Sequence, residues 1–320
     1  MTCARKFFAP RGQTGWYHCV TRCVRRAWLC GLDPYTGQSF DHRRQWVEDR
    51  IHELAGIFAV SVMSYAVMSN HLHVVLGVRP DVAEAWAGEE VADRWARLFA
   101  SATARRNEQW REALLSDPEA LAERRLRLMD LSWFMRCLDE HLARRANAED
   151  KVKGRFWEGR FKCQVLTSES ALAAAMVYVD LNPIRAGIAE SVRDSDHASV
   201  KQRLVKLETN PESADQVLRP IAGVGQCVLA VTTAQYIELV DWSGRRMYPG
   251  KRGKIEAGTP RALARLCAPR DRWEREVKGV GEGYWRVVGT VQELIDKAKE
   301  LGQQWFKGLG YARSLVAKVD

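Results

Sequence analysis

Between Val60 and Val78 the positions are mostly apolar, with β-branched, aromatic and aliphatic residues such as Tyr65, Val67, Val74 and Leu76 that suit strands. Val60 to Val67 reads as a strand, Ser69-Asn70 as a turn and His71 to Val78 as a second strand, after which Pro80 stops the sheet pattern. Trp16-Tyr17-His18-Cys19-Val20-Thr21-Arg22 predicts an earlier strand. Between them, Gln45 to Phe58 has helical spacing, with Trp46, Ile51, Leu54 and Ala55 as its buried stripe. From Asp81 to Asp150 helix formers dominate. Residues 86–127 predict a helical excursion of mixed charge, read as a solvated hairpin. Leu131 to Ala146 predicts an amphipathic helix burying Leu131, Phe134, Met135, Leu138 and Leu142.

Further along, cationic and aromatic residues alternate in Lys153-Gly154-Arg155-Phe156-Trp157-Glu158-Gly159-Arg160-Phe161-Lys162. Such a run suits a strand with Phe156 and Phe161 turned to the core. It equally suits a nucleic-acid contact in which cations meet phosphates and rings stack on bases. Val165 and Leu166 close the strand. A helix then begins near Ser168, capped by Thr167 or Ser168 with Glu169 in its first turn, and buries Ala171, Leu172, Ala175, Met176 and Val179. Pro183 ends it near Leu181 or Asn182. Beyond Ser191 the pattern loosens. Residues 207–260 hold turn-formers (Asn210-Pro211, Pro220, Gly223, Gly225, Pro249-Gly250), and helices are expected around Thr259 to Leu266 and Val291 to Trp305. No internal repeat is evident.

Composition bounds what this pattern can do. A chain of 320 residues, 46% hydrophobic and 28% charged, is long enough for two domains or for one with large additions. Forty-nine Lys and Arg against forty Asp and Glu leave +9, and most of that excess lies in residues 241–320. A basic end attracts polyanions, nucleic acid first among them, although a solvated surface has the same composition. The eight cysteines (3, 19, 23, 30, 137, 163, 227 and 267) form no CxxC pair and no disulfide framework. They read as reduced thiols of a cytoplasmic protein. No signal peptide is expected, and no stretch approaches the roughly 20 apolar residues of a membrane span.

Two patterns point to chemistry. His71 and His73 flank Leu72, so a strand sends both imidazoles to one face, where they can converge on a metal ion. A hydrogen-bonded core pair has the same pattern. Tyr178 and Asn182 lie four residues apart on one helix face. A phenol there can approach a metal held by the histidines, and Asn182 can offer an oxygen. Equally, the two are an ordinary core-edge residue and a helix-end residue.

Ser69-Asn70-His71-Leu72-His73, the run Gly154 to Lys162, and Tyr178-Val179-Asp180-Leu181-Asn182-Pro183-Ile184-Arg185-Ala186-Gly187 follow in that order. Together they resemble the REP-associated tyrosine transposases, a branch of the single-tyrosine HUH transposases. The strand at Tyr17 to Arg22 and the helix at Leu131 to Arg145 resemble that family's elements too, so the likeness spans about residues 15–190. Ser69 stands where the family usually has Pro. The resemblance implies an α+β fold, a central antiparallel sheet flanked by helices, with the helical insertion (about 86–127) inside a transposase domain of residues 1–205. Residues 206–320 form a basic C-terminal extension placed to grip a hairpin stem. It further implies His71 and His73 as metal ligands, Tyr178 as nucleophile, Asn182 as a third ligand and Mg2+ or Mn2+ as the ion. Arg155, Arg160, Lys162 and Arg185 are the phosphate contacts expected from this reading, and Phe156 or Trp157 the base-stacking rings. The partner is single-stranded or hairpin DNA, not a membrane, and the protein acts as a monomer or homodimer. Two rival functions remain: a catalytically silent DNA-binding repressor, and a metallohydrolase that uses a metal-bound hydroxide and no tyrosine.

Overall fold

Two adjacent strands without charged residues, β2 (Val60–Val67) and β3 (His71–Val78), pair antiparallel at the centre of the computed structural model. The structure describes residues 5, 8–24, 27–99, 104–225, 229–248, 258–268, 270–281 and 286–316. β1 (Gly15–Arg22) pairs antiparallel with β3 on one side and with β4 (Lys162–Leu166) on the other. These strands and their turn lie where the sequence pattern puts them. The cationic–aromatic run does not: only Lys162 enters the strand, and residues 152–161 form an irregular connection held near β1 by a Cys23–Trp157 bridge.

The sheet is a middle layer. On β3, Leu72, Val74 and Leu76 face one core with β1's Tyr17 and Cys19. That core is covered by α1 (Arg43–Ala55) through Val47, Ile51 and Leu54, and by α6 (Leu131–Glu149) through Phe134 and Leu138. Between them in sequence, the insertion folds as α2 (Pro80–Glu84), α3 (Gly88–Leu98), α4 (Ala104–Leu115) and α5 (Pro118–Leu128). Pro80 therefore begins a helix, at a position where its missing N–H is not needed. The insertion is more than a solvated hairpin, because Trp86, Val91 and Leu128 enter the same core.

The opposite face, with Val75, is covered by α7 (Glu169–Asp180). Ser168 caps that helix by accepting the Ala171 N–H at 3.3 Å, and Glu169 sits in the first turn, as the sequence predicts. α7 is buried at every position from Ala171 to Asp180, a wider burial than its apolar stripe suggests. Pro183 ends α7 yet sits in the first turn of a short continuation, α8 (Asn182–Arg185). α9 (Ser199–Thr209) follows.

Residues 206–320 complete the same cores. β5 (Val217–Leu218) and β7 (Leu229–Thr232) make a small separate sheet, whereas β6 (Ala222–Gly223) pairs with β2 and β8 (Val287–Val288) pairs parallel with β4. The central sheet thus has the order β6-β2-β3-β1-β4-β8. α10 (Thr233–Met247) and α12 (Arg270–Gly281) pack on α7, and α11 (Arg261–Arg265), α13 (Val291–Glu300) and α14 (Leu309–Val316) complete the chain. Cys19, Cys23, Cys30, Cys137, Cys163 and Cys267 are free thiols, while Cys3, Cys227 and the Pro249-Gly250 turn lie outside the described residues. Among the described residues no helix is long and apolar enough to cross a membrane.

Candidate active site

β3 brings His71 and His73 out on the face that α7 covers, while Leu72 between them is fully buried on the other side. Their ring centroids are 4.9 Å apart, and the Tyr178 ring lies edge-on to His73 at 5.8 Å. The strand histidines and the helix tyrosine, more than a hundred residues apart in sequence, therefore share one site. They line a cleft of ≈ 360 Å³ with Arg22, Arg160, Lys162 and Arg185 around them. Glu158 is the carboxylate on its wall. A second cavity of ≈ 350 Å³, bordered by α7, α12, α13 and α14, is lined without a histidine.

Electrostatics in the cleft keep the imidazoles neutral. Burial, with Arg22 and Arg185 nearby, lowers His71 to about 4. Burial and the neighbouring His18 and His71 hold His73 well below its ordinary value. Neutral imidazoles keep a lone pair for a metal. His71 Nδ1 is 2.7 Å from Asn70 Oδ1, so it carries the hydrogen, and Nε2 is left as the free acceptor. His73 Nε2 is buried and has no hydrogen-bond partner, the kind of orphan atom a ligand satisfies. Burial raises the Tyr178 phenol, and the Arg185 guanidinium, 5.1 Å from the ring centroid, opposes that rise.

Two nitrogens with free lone pairs on one face fit a divalent ion that takes its other ligands from water and phosphate oxygens. Among the described residues no group of three or more His, Cys, Asp or Glu side chains could hold a metal ion.

The other residues singled out in the sequence divide. Arg160, Lys162 and Arg185 line the cleft. Arg155 is exposed but does not. Phe156, one of the rings expected to stack on bases, is instead 3% exposed and packed in the core beneath α6, where it meets Trp157 edge-on. Trp157 is half-buried and donates its indole N–H to the Asp139 carbonyl at 2.7 Å. Asn182 is fully buried off the cleft, and its Oδ1 accepts two hydrogen bonds from Arg185, at 3.0 and 2.7 Å. That oxygen positions Arg185 beside Tyr178.

Other members of the site were not singled out from the sequence. Arg22 pairs directly across from His71, and His18 lies on the same face of β1 as Val20, which is opposite His73. The two-residue period of the opening strand carries that information once its neighbour is known. Gly281, at the end of α12, lies so close to Tyr178 that a Cβ there would stand 2.5 Å from the phenol oxygen. No pattern in the sequence signals this contact.

No protein-family model matches the chain, and no curated protein matches it. Among solved structures, it is similar to a REP-associated tyrosine transposase bound to a REP hairpin, at 12% identity and a TM-score of 0.35. That match covers 72% of this chain and 97% of the other.

Proposed function

We propose that the chain is a metal-dependent transposase and nuclease that cleaves and rejoins single-stranded DNA at hairpin-forming repeats. The observation that carries this reading is the packing of Tyr178 against His73, in a cleft walled by Arg22, Arg160, Lys162 and Arg185. A phenol, two neutral imidazoles and a ring of cations suit a phosphodiester better than a neutral substrate.

His71 and His73 would hold the Mg2+ or Mn2+. When bound, that ion supplies Lewis-acid stabilisation to a phosphate oxygen. Arg22, Arg160 and Lys162 bind the strand through its phosphates. Arg185, oriented by Asn182, favours the phenolate form of Tyr178 by placing a positive charge beside it. The Tyr178 oxygen attacks phosphorus, and the new O–P bond forms as the bond from phosphorus to the 3′ oxygen breaks. The departing oxygen takes up a proton to become a 3′-hydroxyl, leaving a 5′-phosphotyrosine on the protein. A 3′-hydroxyl of a second DNA end reverses the step, joining the strands and releasing tyrosine without ATP.

A second reading has its own support. Tyr178 is 7% exposed and lies against Gly281, an arrangement that also suits a silent DNA-binding repressor with a buried phenol. A labelled hairpin with a flanking single strand, incubated with Mn2+ and wild-type or Tyr178→Phe protein, separates the readings. A covalent protein–DNA adduct formed by wild type and absent from Tyr178→Phe supports the transposase. Binding by wild type without an adduct supports the repressor. Cleavage that survives the substitution identifies a hydrolase that needs no tyrosine.

A further inference from the structure

Behind the cleft, a line of buried hydrogen bonds crosses the sheet from α12 to His73. Val280, in the last turn of α12, offers a carbonyl that accepts the Gln164 amide N–H at 3.2 Å. A carbonyl can only accept, so this contact fixes which end of the Gln164 amide faces the other way. Gln164 Oε1 then lies 2.6 Å from His18 Nδ1, its cross-strand neighbour on β1. An amide oxygen can only accept, so His18 carries its hydrogen on Nδ1 and presents a lone pair at Nε2. That lone pair is 2.9 Å from His73 Nδ1, which must donate to it. His73 is left with a bare Nε2, the buried nitrogen that has no partner.

We propose that Gln164 and His18 are positioning residues that lock His73 in the tautomer whose Nε2 faces the cleft as a metal ligand. The inference rests on the transposase reading for the purpose of that ligand, but the tautomer itself does not depend on it. His18, Gln164 and Val280 are 2%, 1% and 3% exposed, so water does not compete for these bonds. The rings of His18 and His73, with centroids 5.1 Å apart and planes 11° from parallel, meet edge to edge, which aims the in-plane N–H of one at the in-plane lone pair of the other. Val280 belongs to the C-terminal region, so α12 reaches His73 through the strands and Tyr178 through Gly281. Metal-binding histidines characteristically donate their other nitrogen to such a partner, which raises ligand basicity and fixes ring orientation.

The test begins with the metal-free full-length protein labelled with 15N-histidine. Two-bond 1H–15N correlation at neutral pH should show His73 protonated on Nδ1 and unprotonated on Nε2, with His18 in the same tautomer. His18→Leu removes the acceptor, and His73 should then populate both tautomers. Mn2+ affinity, followed by electron paramagnetic resonance, should fall about 10–100-fold. His18→Gln places an amide oxygen where Nε2 stood, and should keep the His73 tautomer and an Mn2+ affinity close to wild type. Wild-type His73 protonated on Nε2 overturns the proposal, whether or not the variants fold. So does His18→Leu with an unchanged tautomer and Mn2+ affinity. A His73 locked on Nδ1–H in a protein that forms no phosphotyrosine adduct leaves the relay standing and removes the transposase reading.

Discussion

At the scale of single residues, the site depends on imidazoles kept neutral by burial, and this ties stability to pH. His18 is buried with its pKa lowered to about 4, whereas an unfolded histidine titrates near roughly 6.5. Between those values the unfolded chain binds the proton and the folded chain does not, so stability rises with pH across the window. The contribution is therefore present above about pH 6.5, erodes as the pH falls and is gone below about pH 4. It amounts to about 3 kcal/mol for His18 if the whole shift is realised. His71 and His73, lowered by the same cause, steepen the trend. Thermal melts at pH 7.0 and 4.5 should show a marked loss of Tm in acid, and His18→Gln should reduce that loss. An acid-induced drop of equal size in His18→Gln would remove His18 as a contributor. His18 also shows where reading by residue type stops. In sequence it is one polar residue in an apolar strand, and its role appears only when β1 is placed between His73 and Gln164.

At the scale of elements, α7 carries the proposed nucleophile and is held by contacts near its C-terminal end. Asp180, fully buried two residues beyond Tyr178, accepts from the Ser199 hydroxyl, the Val200 N–H and the Tyr236 hydroxyl, tying α7 to α9 and α10. Asp180→Ala strands those donors without partners and should cost about 3–5 kcal/mol, read as a lowered denaturation midpoint. A loss below about 1 kcal/mol would mean that water or a neighbour takes over the acceptor role. At the cleft, Gly281→Ala pushes a methyl carbon against the Tyr178 oxygen, and either α12 or the ring must shift. Hairpin binding should persist while the rate of adduct formation falls by about tenfold or more, since a displacement near 1 Å suffices for such a loss. A rate equal to wild type would show that the contact yields freely. The sequence made the hairpin of β2 and β3, the Ser168 cap and the facing of His71 and His73 legible, because each is set by local alternation or capping. For the run from Lys153 to Phe161 alternation leaves strand and nucleic-acid contact equally open; Phe156 and Phe161 are buried as a strand would have them, but the segment forms no ladder. Helices α10, α12 and α14 were hidden among turn-formers and charges, although Thr232 and Gln235 form a capping box that marks the start of α10. Helical spacing and the family resemblance offer Asn182 as a third ligand, but neither shows that its Oδ1 accepts two hydrogen bonds from Arg185.

At the scale of the whole molecule, the division after residue 205 that the resemblance implies does not coincide with a division of cores. β6 extends the central sheet beyond β2, and β8 extends it beyond β4, so residues 206–320 supply both of its outermost strands. Leu239 and Val240 of α10 and Trp273 and Val277 of α12 are buried with Leu172, Met176 and Val177 of α7. This second covering layer is why α7 is buried all round instead of along one stripe. Removing residues 206–320 would uncover that face of α7 and the edges of β2 and β4 at once, and exposed edges and apolar patches favour aggregation. The truncated chain 1–205 should therefore be poorly soluble or lose its near-ultraviolet circular dichroism while keeping far-ultraviolet helix signal, as loosely packed states do. It should form no adduct, because Val280 and Gly281 are lost with the extension. A soluble, cooperatively melting 1–205 fragment would show that the added layer is dispensable to the fold. If that fragment also retained adduct formation, the contacts of α12 with Gln164 and Tyr178 would be incidental to the chemistry.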